Sequence, residues 1–267
     1  MTPSKKELRV FTASQEALWI VSTLVCGERE AILIDAQFTL SDAKKLVALI
    51  KDSGKVLRTV YITHHHPDHY FGLQEIASAF PDAQIIAQPT TVESIKKTWK
   101  SKVEQWAPIY ADNIPSAPLI PEPMNGMVLE LEGEMLPIYM NAQGDDRSNS
   151  YVWVPSLKAV ICGDIVYSGV YPWTADTTPA ERKDWIRSLE KIESLRPVMA
   201  IAGHKDPAKT DDPSCLQFMK EYLNFYDAAI ITSRNADELK AAVKKRFTDL
   251  GLEIILNLSA GVAFPSK

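Results

Sequence analysis

Cysteines and long apolar runs are both scarce in this sequence of 267 residues. The three cysteines, Cys26, Cys162 and Cys215, are odd in number and far apart, which argues against a disulfide framework and favours reduced thiols in the core. No stretch approaches the roughly 20 apolar residues that a membrane-spanning helix needs, and residues 1–7 lack the apolar core of a secretory signal. The sequence therefore predicts a cytoplasmic protein without a membrane anchor, unless a signal was removed upstream of residue 1.

Positive charge is also in deficit, because 29 lysines and arginines face 34 aspartates and glutamates and leave a net charge of -5. A protein that binds nucleic acid needs a clustered basic surface, so we expect a small-molecule substrate and no nucleic-acid partner. The one basic run, at residues 96–102, is predicted to be the solvated face of a helix. The hydrophobic fraction of 46% and the charged fraction of 24% are typical of a globular protein, and residues 1–267 are predicted to form one domain.

Hydrophobic periodicity predicts strands and helices twice in the same order. The first half is predicted to form a hairpin, a helix, a strand, a helix, a strand and a helix, at residues 19–25 with 31–35, 39–52, 56–63, 68–80, 84–87 and 90–106. The second half is predicted to form four strands, a helix, a strand and two helices, at residues 127–129, 136–140, 151–154, 159–162, 179–195, 198–202, 214–226 and 235–247. Trp99 and Trp106, seven residues apart on one helix face, are predicted to belong to the core. The expected fold class is α/β, with two stacked sheets and helices outside them in an αββα sandwich, and a helical tail after about residue 206.

Histidines are few, and four of the five fall within the segment HHHPDH that begins at His64. At the end of an extended strand residues i and i+2 point the same way, so His64 and His66 can reach one cation while His65 has a structural role. The next helix opens at Asp68 and His69, which can turn toward a second cation. Nitrogen and oxygen ligands that converge at about 2.0–2.2 Å suit zinc. The alternative, a run of solvated or core histidines, does not account for such clustering.

This segment matches the H-x-H-x-D-H signature, through which the chain resembles the metallo-β-lactamase superfamily. The resemblance covers roughly residues 8–205 and includes a hairpin that ends at Asp35. It implies a four-layer αββα fold with two divalent cations. Asp164, which closes an apolar strand, resembles the aspartate that bridges the two ions, and His204 resembles the last histidine ligand. The second site would then consist of Asp68, His69, His204 and the shared Asp164, and it should fill first if only one ion binds.

One landmark of the family is missing, because no histidine lies in the turn that usually carries a G-H-[TS] sequence. The corresponding turn, residues 141–148, resembles a subgroup with Q-G-D at this place. That resemblance makes Asp145 the first candidate for a substitute ligand and Gln143 the next, while the alternative is that Asp145 and Asp146 form a solvated turn. A carboxylate would make the first metal a weaker Lewis acid, so zinc, iron and manganese all remain candidates.

The resemblance implies hydrolysis, in which a metal-bound hydroxide attacks the carbonyl of a lactone, ester, thioester or amide. Asp68 and Asp164 would position the metals, and one of them would handle the proton. Tyr167 follows Asp164 by three residues, a spacing similar to that of lactonases of this fold, and would donate a hydrogen bond to the carbonyl oxygen. The alternative is an ordinary, partly buried tyrosine. Residues 168–173 are aromatic and are predicted to line the entrance, which favours a small, partly apolar substrate.

Two rival functions stay open on the sequence. A degenerate member of the fold would bind one ion and act as a non-catalytic binding protein, and the missing histidine favours this interpretation. A phosphodiesterase or nuclease of the same fold is disfavoured by the acidic balance of the chain. A homodimer is compatible with the sequence, which contains no direct signal for an oligomeric state.

Overall fold

The first of two large β-sheets is formed by the N-terminal half of the chain, as seen in a computed structural model that describes residues 6–265. Its six strands are β1 (Glu7–Thr12), β2 (Val21–Cys26), β3 (Glu30–Ile34), β4 (Val56–Ile62), β5 (Gln84–Ala87) and β6 (Glu122–Pro123). They lie side by side in chain order. β2 is antiparallel to both of its neighbours, β1 and β3, whereas β3, β4, β5 and β6 run parallel to one another. Most of the N-terminal segment for which the sequence predicts no secretory signal lies outside the described residues.

The second sheet comes from the later half of the chain. Its strands, with one additional pair, are β7 (Val128–Leu131), β8 (Glu134–Ala142), β9 (Asn149–Val154), β10 (Ala159–Ile161), β11 (Tyr167–Ser168), β12 (Met199–Ile201) and β13 (His204–Lys205). The five-stranded sheet has the order β12-β10-β9-β8-β7, and β11 pairs with β13 in parallel. β7 to β10 form an antiparallel meander, and β12 lies parallel to β10.

Eight α-helices cover the sheets in the described part of the chain. They are α1 (Leu40–Asp52), α2 (Pro67–Tyr70), α3 (Leu73–Ala79), α4 (Pro89–Tyr110), α5 (Pro179–Ser194), α6 (Ser214–Thr232), α7 (Ala236–Arg246) and α8 (Glu253–Ala263). None of the helices between residues 6 and 265 is both long and apolar enough to cross a membrane. Most bounds agree with the predicted ones, but α8 is absent from the prediction and the predicted helix 68–80 is two helices.

The break between α2 and α3 occurs at Gly72, where the helix approaches the loop after β3. The Gly72 N–H donates to the Gln37 carbonyl at 2.9 Å. A β-carbon at Gly72 would overlap the Ala36 carbonyl oxygen. A continuous helix cannot make this contact, because its amide groups are committed to their own carbonyls four residues back.

Three apolar layers hold the sandwich together. Between the sheets, side chains from both inner faces interdigitate, among them Val25, Ile32, Ile138, Val152 and Ile201. The outer face of the first sheet packs on α1, α3 and α4, and that of the second sheet packs on helices that include α5 and α6. Because both faces of each sheet are covered, the strand sequences are nearly continuous runs of apolar residues. The predicted four-layer αββα sandwich is confirmed, and all three cysteines are buried and unpaired.

The two sheets meet at one end of the sandwich, where backbone groups approach very closely. The Gly203 N–H donates to the Gly163 and Val166 carbonyls, both at 3.0 Å, and the Val21 N–H donates to the Gly203 carbonyl at 2.8 Å. A β-carbon at Gly203 would overlap Asp164 Oδ1 and lie 2.7 Å from the Gly163 carbonyl carbon. Only glycine therefore allows this contact without displacement of the neighbouring backbone.

Two glycine substitutions should have opposite effects on stability. Gly203→Ala should lower the free energy of unfolding by roughly 1–3 kcal/mol, since its methyl group overpacks the junction. Gly261 lies in α8, and no atom lies within 4 Å of the place that an alanine methyl group would take, so Gly261→Ala should raise that free energy by about 0.5–1 kcal/mol. Urea denaturation of both variants measures these changes, and equal stability of Gly203→Ala and the parent would contradict the packing argument.

Candidate metal centre

One group of possible ligands lies where β4 ends and α2 begins. His64 Nε2 is 3.7 Å from Asp164 Oδ2 and 4.0 Å from Asp145 Oδ1, and His66 Nδ1 is 2.8 Å from Asp145 Oδ2. All four residues are buried, and each offers one ligand atom within 4.8 Å of the others. The group could therefore hold one metal ion.

A second group adjoins the first and consists of Asp68, His69 and His204. His204 Nε2 lies 3.3 Å from Asp68 Oδ2 and 3.2 Å from Asp164 Oδ2, and His69 Nε2 lies 3.1 Å from Asp164 Oδ1. The ligand atoms of these three residues also lie within 4.8 Å of one another. Asp164 faces both groups. The structure thus brings together all seven residues that the sequence indicated as metal ligands.

The histidine rings are oriented by hydrogen bonds at their second nitrogen. His69 Nδ1 is 2.8 Å from Asp35 Oδ2, and His204 Nδ1 is 2.7 Å from the Leu18 carbonyl oxygen. Asp35 also accepts hydrogen bonds from the Thr63 N–H at 2.8 Å and from the Thr63 hydroxyl. Such partners turn Nε2 toward the centre and raise its basicity. Sequence reasoning did not assign this role to Asp35, although an aspartate that directly follows an apolar strand was a usable signal.

Several polar atoms at the centre are buried without a well-aligned hydrogen bond among the described residues. They are His64 Nε2, His69 Nε2 and Asp164 Oδ1, although the last two lie 3.1 Å apart. A buried polar atom without a partner costs about 1–3 kcal/mol, so native proteins rarely leave several of them together. Imidazole nitrogen and carboxylate oxygen are ligands for divalent transition metals. The donor set therefore fits bound cations.

In the first group, His66 and Asp145 strongly affect each other's pKa. Burial lowers the pKa of His66, but the facing Asp145 carboxylate outweighs burial and raises that pKa to about 9. Burial raises the pKa of Asp145 to about 7, against the opposing effect of His66. In the absence of a cation, a proton therefore lies between His66 and Asp145, at the place that a cation could occupy.

The second group has the same character. Burial lowers the pKa of His204, but Asp164 and Asp68 raise it to about 10. Burial would raise the pKa of Asp164, yet the charges of His204 and His69 hold it well below its ordinary value. Without cations, protons on the histidines balance the carboxylates.

The turn that replaces the expected histidine is folded inward. Asp145 is 0% exposed and accepts a hydrogen bond from Asn149 Nδ2 at 2.8 Å, which is not the solvated turn of the alternative interpretation. The Gln143 amide donates to the carbonyl of its neighbour Gly144. Asp146 points away, with Oδ1 at 3.5 Å from His65 Nδ1. Of the acidic side chains of this turn, Asp145 joins the possible ligands and Asp146 does not.

Tyr167 is buried beside the centre and contacts both carboxylates of the first group. Its hydroxyl donates to Asp164 Oδ2 at 2.7 Å and lies 3.3 Å from Asp145 Oδ2. Its ring stacks on His204 with a centroid distance of 5.1 Å and an interplanar angle of 2°. Tyr167 therefore holds Asp164 in place whatever else its hydroxyl does.

A cavity of about 520 Å³ opens onto the centre. Its inner end is lined by His66, Asp68, Asp145, Asp164, Tyr167 and His204. Lys102, from the predicted basic face of α4, also lines it, and so does Trp106, for which the sequence predicts a place in the core. Trp106 lines the cavity and also packs against the core of the first sheet. The site is thus a reactive centre at the bottom of a ligand-sized cavity.

Comparison with known proteins agrees with this arrangement. Among curated proteins, the chain is 34% identical over 77 residues to a hydroxyacylglutathione hydrolase of Prochlorococcus marinus, and the match covers 29% of each protein. It is 25% identical over 180 residues to a hydroxyacylglutathione hydrolase of Synechococcus, which covers 65% of this chain and 58% of that protein. Both matches span less than two thirds of the relative's length.

A solved structure and a family model match larger parts of the chain. A metallo-β-lactamase family protein from Thermus thermophilus superimposes with a TM-score of 0.67 at 18% identity, covering 96% of this chain and 91% of that one. At this identity the likeness concerns the fold. The sequence model of the metallo-β-lactamase superfamily matches residues 20–204, which is more than half of the chain. The chain therefore belongs to the metallo-β-lactamase superfamily.

Proposed function

We propose that the protein is a metal-dependent hydrolase that cleaves a carbonyl substrate. The observation that carries the proposal is the pair of ligand groups around Asp164, in which Nε2 of both His64 and His69 is buried without a well-aligned hydrogen bond. The relatives are named hydroxyacylglutathione hydrolases, and an acylglutathione is a thioester. Acyl thioesters are therefore the first substrate class to test, followed by lactones, esters and amides.

Each residue of the centre has a definite part in this proposal. Two divalent cations, when bound, would supply a water nucleophile of lowered pKa and a Lewis acid for the carbonyl. The first would be held by His64, His66 and Asp145, the second by Asp68, His69 and His204, and Asp164 would be shared by both.

Proton transfer falls to Asp68 in this scheme. Burial would raise the pKa of Asp68, but the hydrogen bond from His204 holds it well below the ordinary value, so the carboxylate is ionised. Asp68 lines the cavity and can accept a proton from the attacking water and return it to the leaving group. The Tyr167 hydroxyl also lines the cavity and is our candidate donor to the carbonyl oxygen as negative charge develops there; its one proton would turn from Asp164 Oδ2 to that oxygen.

A comparison of two adjacent histidines tests the site. His66→Ala should lower the metal content and reduce turnover by about 10²-fold or more, since it removes one of the proposed ligands and the imidazole that contacts Asp145. His65→Ala is the matched control, because His65 contacts Asp146 and Ser148 and should keep both properties. Elemental analysis and a panel of thioester, lactone, ester and phosphodiester substrates measure the outcome.

The same panel separates the rival functions. Two ions and turnover of a carbonyl substrate support the proposal. One inert ion would identify a non-catalytic binding protein, and cleavage of only the phosphodiester would identify a phosphodiesterase. Full metal content and turnover in His66→Ala would contradict the assigned centre.

The substitute ligand can be tested separately. Asp145→Ala should lower the content of the first cation site with a smaller effect on the second, whereas Gln143→Ala should leave both unchanged, because its amide is turned toward the Gly144 carbonyl. Metal titration followed by elemental analysis is the measurement. Unchanged metal content in Asp145→Ala would exclude this residue as a ligand.

Metal binding should release protons. The pKa values of His66, about 9, and His204, about 10, mean that both are protonated near neutral pH in the metal-free protein. A ligating imidazole must be neutral, so the affinity for zinc should rise with pH until these histidines are deprotonated. Calorimetric titration of metal-free protein with zinc, in two buffers of different ionisation heat at pH 7, measures the release. Identical heats in the two buffers would contradict the prediction.

A further inference from the structure

The outer part of the cavity lies between two helices. α4 contributes Trp106, Ile109 and Tyr110 together with the polar Lys102 and Gln105, and α8 contributes Ile254, Ile255 and Leu258. Every lining residue that comes from α8 is apolar. The chemistry of this wall differs from that of the inner end, where the possible metal ligands lie.

Three of these apolar side chains are exposed at the mouth of the cavity, and we call them the apolar rim. Ile109 is 67% exposed, Ile254 is 51% exposed and Leu258 is 43% exposed. A single exposed apolar residue is ordinary, but a contiguous group at the mouth of a pocket marks a place where apolar surface is buried on binding. The rim is continuous, through the cavity, with the candidate metal centre.

Both walls are firmly attached to the fold. α8 follows Gly251, whose N–H donates to the Gly169 carbonyl at 2.9 Å, while its carbonyl accepts the Tyr171 N–H at 3.2 Å. The Thr174 N–H donates to Ser259 Oγ at 3.2 Å. These contacts fix α8 to the chain that follows Tyr167. The wall is therefore built before a ligand arrives, which lowers the entropic cost of binding.

The wall of α4 is fixed in the same manner. Tyr110 donates its hydroxyl to the Glu16 carbonyl. Trp106 and Tyr110 pack edge-on against Phe38, with centroid distances of 5.2 and 4.8 Å. The gap between α4 and α8 is thus a preformed channel, apolar along α8 and along Trp106, Ile109 and Tyr110 of α4.

From these observations we infer that the substrate carries an alkyl chain that lies between α4 and α8, and that the apolar rim sets the chain length that is accepted. This inference rests on the proposed function, since it places the reacting carbonyl at the metal centre. α8 lies outside residues 20–204, which match the family model. An alkyl chain is favoured over a second protein because the apolar surface continues inward as a cavity instead of ending at a flat face.

The kinetic test uses straight-chain acyl thioesters of two to twelve carbons with the metal-loaded protein. Each methylene that enters the channel should raise kcat/KM by about fourfold, until the channel is filled. Ile254→Glu and Leu258→Glu should each lower the ratio of kcat/KM for the ten-carbon substrate to that for the two-carbon substrate by about tenfold or more.

Two other exposed apolar residues provide matched controls. Val262 is 59% exposed on the same helix and Ile231 is 84% exposed on α6, and neither lines the cavity. Val262→Glu and Ile231→Glu should therefore keep the parent ratio. Circular dichroism of all four variants checks that α8 and α6 remain folded.

A binding arm gives a result that does not depend on turnover. Calorimetry should show that sodium decanoate binds the parent protein more tightly than sodium butyrate, and that Leu258→Glu removes the difference. Hydrolysis without dependence on chain length would overturn the inference but leave the proposed function in place. If no substrate is hydrolysed, the proposed function fails, and decanoate binding then decides the inference by itself.

Sedimentation velocity tests the alternative that a second copy of this chain, and not a substrate, covers the apolar rim. If Ile254→Glu turns a dimer into a monomer without any change in the chain-length ratio, the rim is a subunit interface and the inference is wrong. The inference is supported if the parent and Ile254→Glu have the same oligomeric state and the chain-length ratio of kcat/KM is lower in the variant.

Discussion

A carboxylate taken out of water has to be balanced by positive charge or hydrogen bonds, and Asp164 is the point where this requirement shapes the molecule. The Tyr167 hydroxyl and the histidines of both ligand groups surround its two oxygens. Asp35, Asp68 and Asp145 are buried close by. This concentration of buried negative charge is the kind that bound divalent cations can balance when the histidines are neutral.

The backbone that brings these groups together comes from the ends of several strands. His64 follows β4, Asp145 follows β8, Asp164 follows β10 and His204 follows β12, so the ligands converge at one edge of the two sheets. Gly163 has a φ of +51°, and a β-carbon there would lie 2.8 Å from Thr63 Oγ1. The approach of these strand ends is therefore as much a property of small residues as of the ligands themselves.

Local rules account for the part of the structure that the sequence predicts well. The i and i+2 spacing of His64 and His66 and the apolar runs before Asp164 and His204 depend on strand geometry alone, and the family signature orders them along the chain. Other features depend on contacts between distant segments. Gly72 divides a predicted helix because it meets the loop after β3, and Asp35 reaches His69 across that same loop. No local pattern contains such contacts.

Trp106 is a further example of a residue whose full role depends on contacts that local sequence patterns do not contain. Its periodicity on α4 is that of a core residue, and it does pack on the first sheet, but the cavity that it also lines exists only because α8 lies opposite. The exposed positions of α8 mix the apolar Ile254, Leu258 and Val262 with Glu253 and Asn257, so its sequence alone does not reveal which residues face the cavity. Sequence reasoning therefore located the chemistry and, in Trp173, one residue of the predicted entrance segment, but it missed the wall formed by α8.

The attachment of α8 through Gly251 to the segment after Tyr167 has a consequence for how such a protein can diversify. The residues that surround Asp164 lie between positions 35 and 204, whereas one of the two outer walls of the cavity is encoded after position 250. Substitutions in this last helix can reshape the entrance without disturbing the charge balance at the bottom. New selectivity is thus accessible by small mutational steps in a stretch of chain that the reaction itself does not constrain.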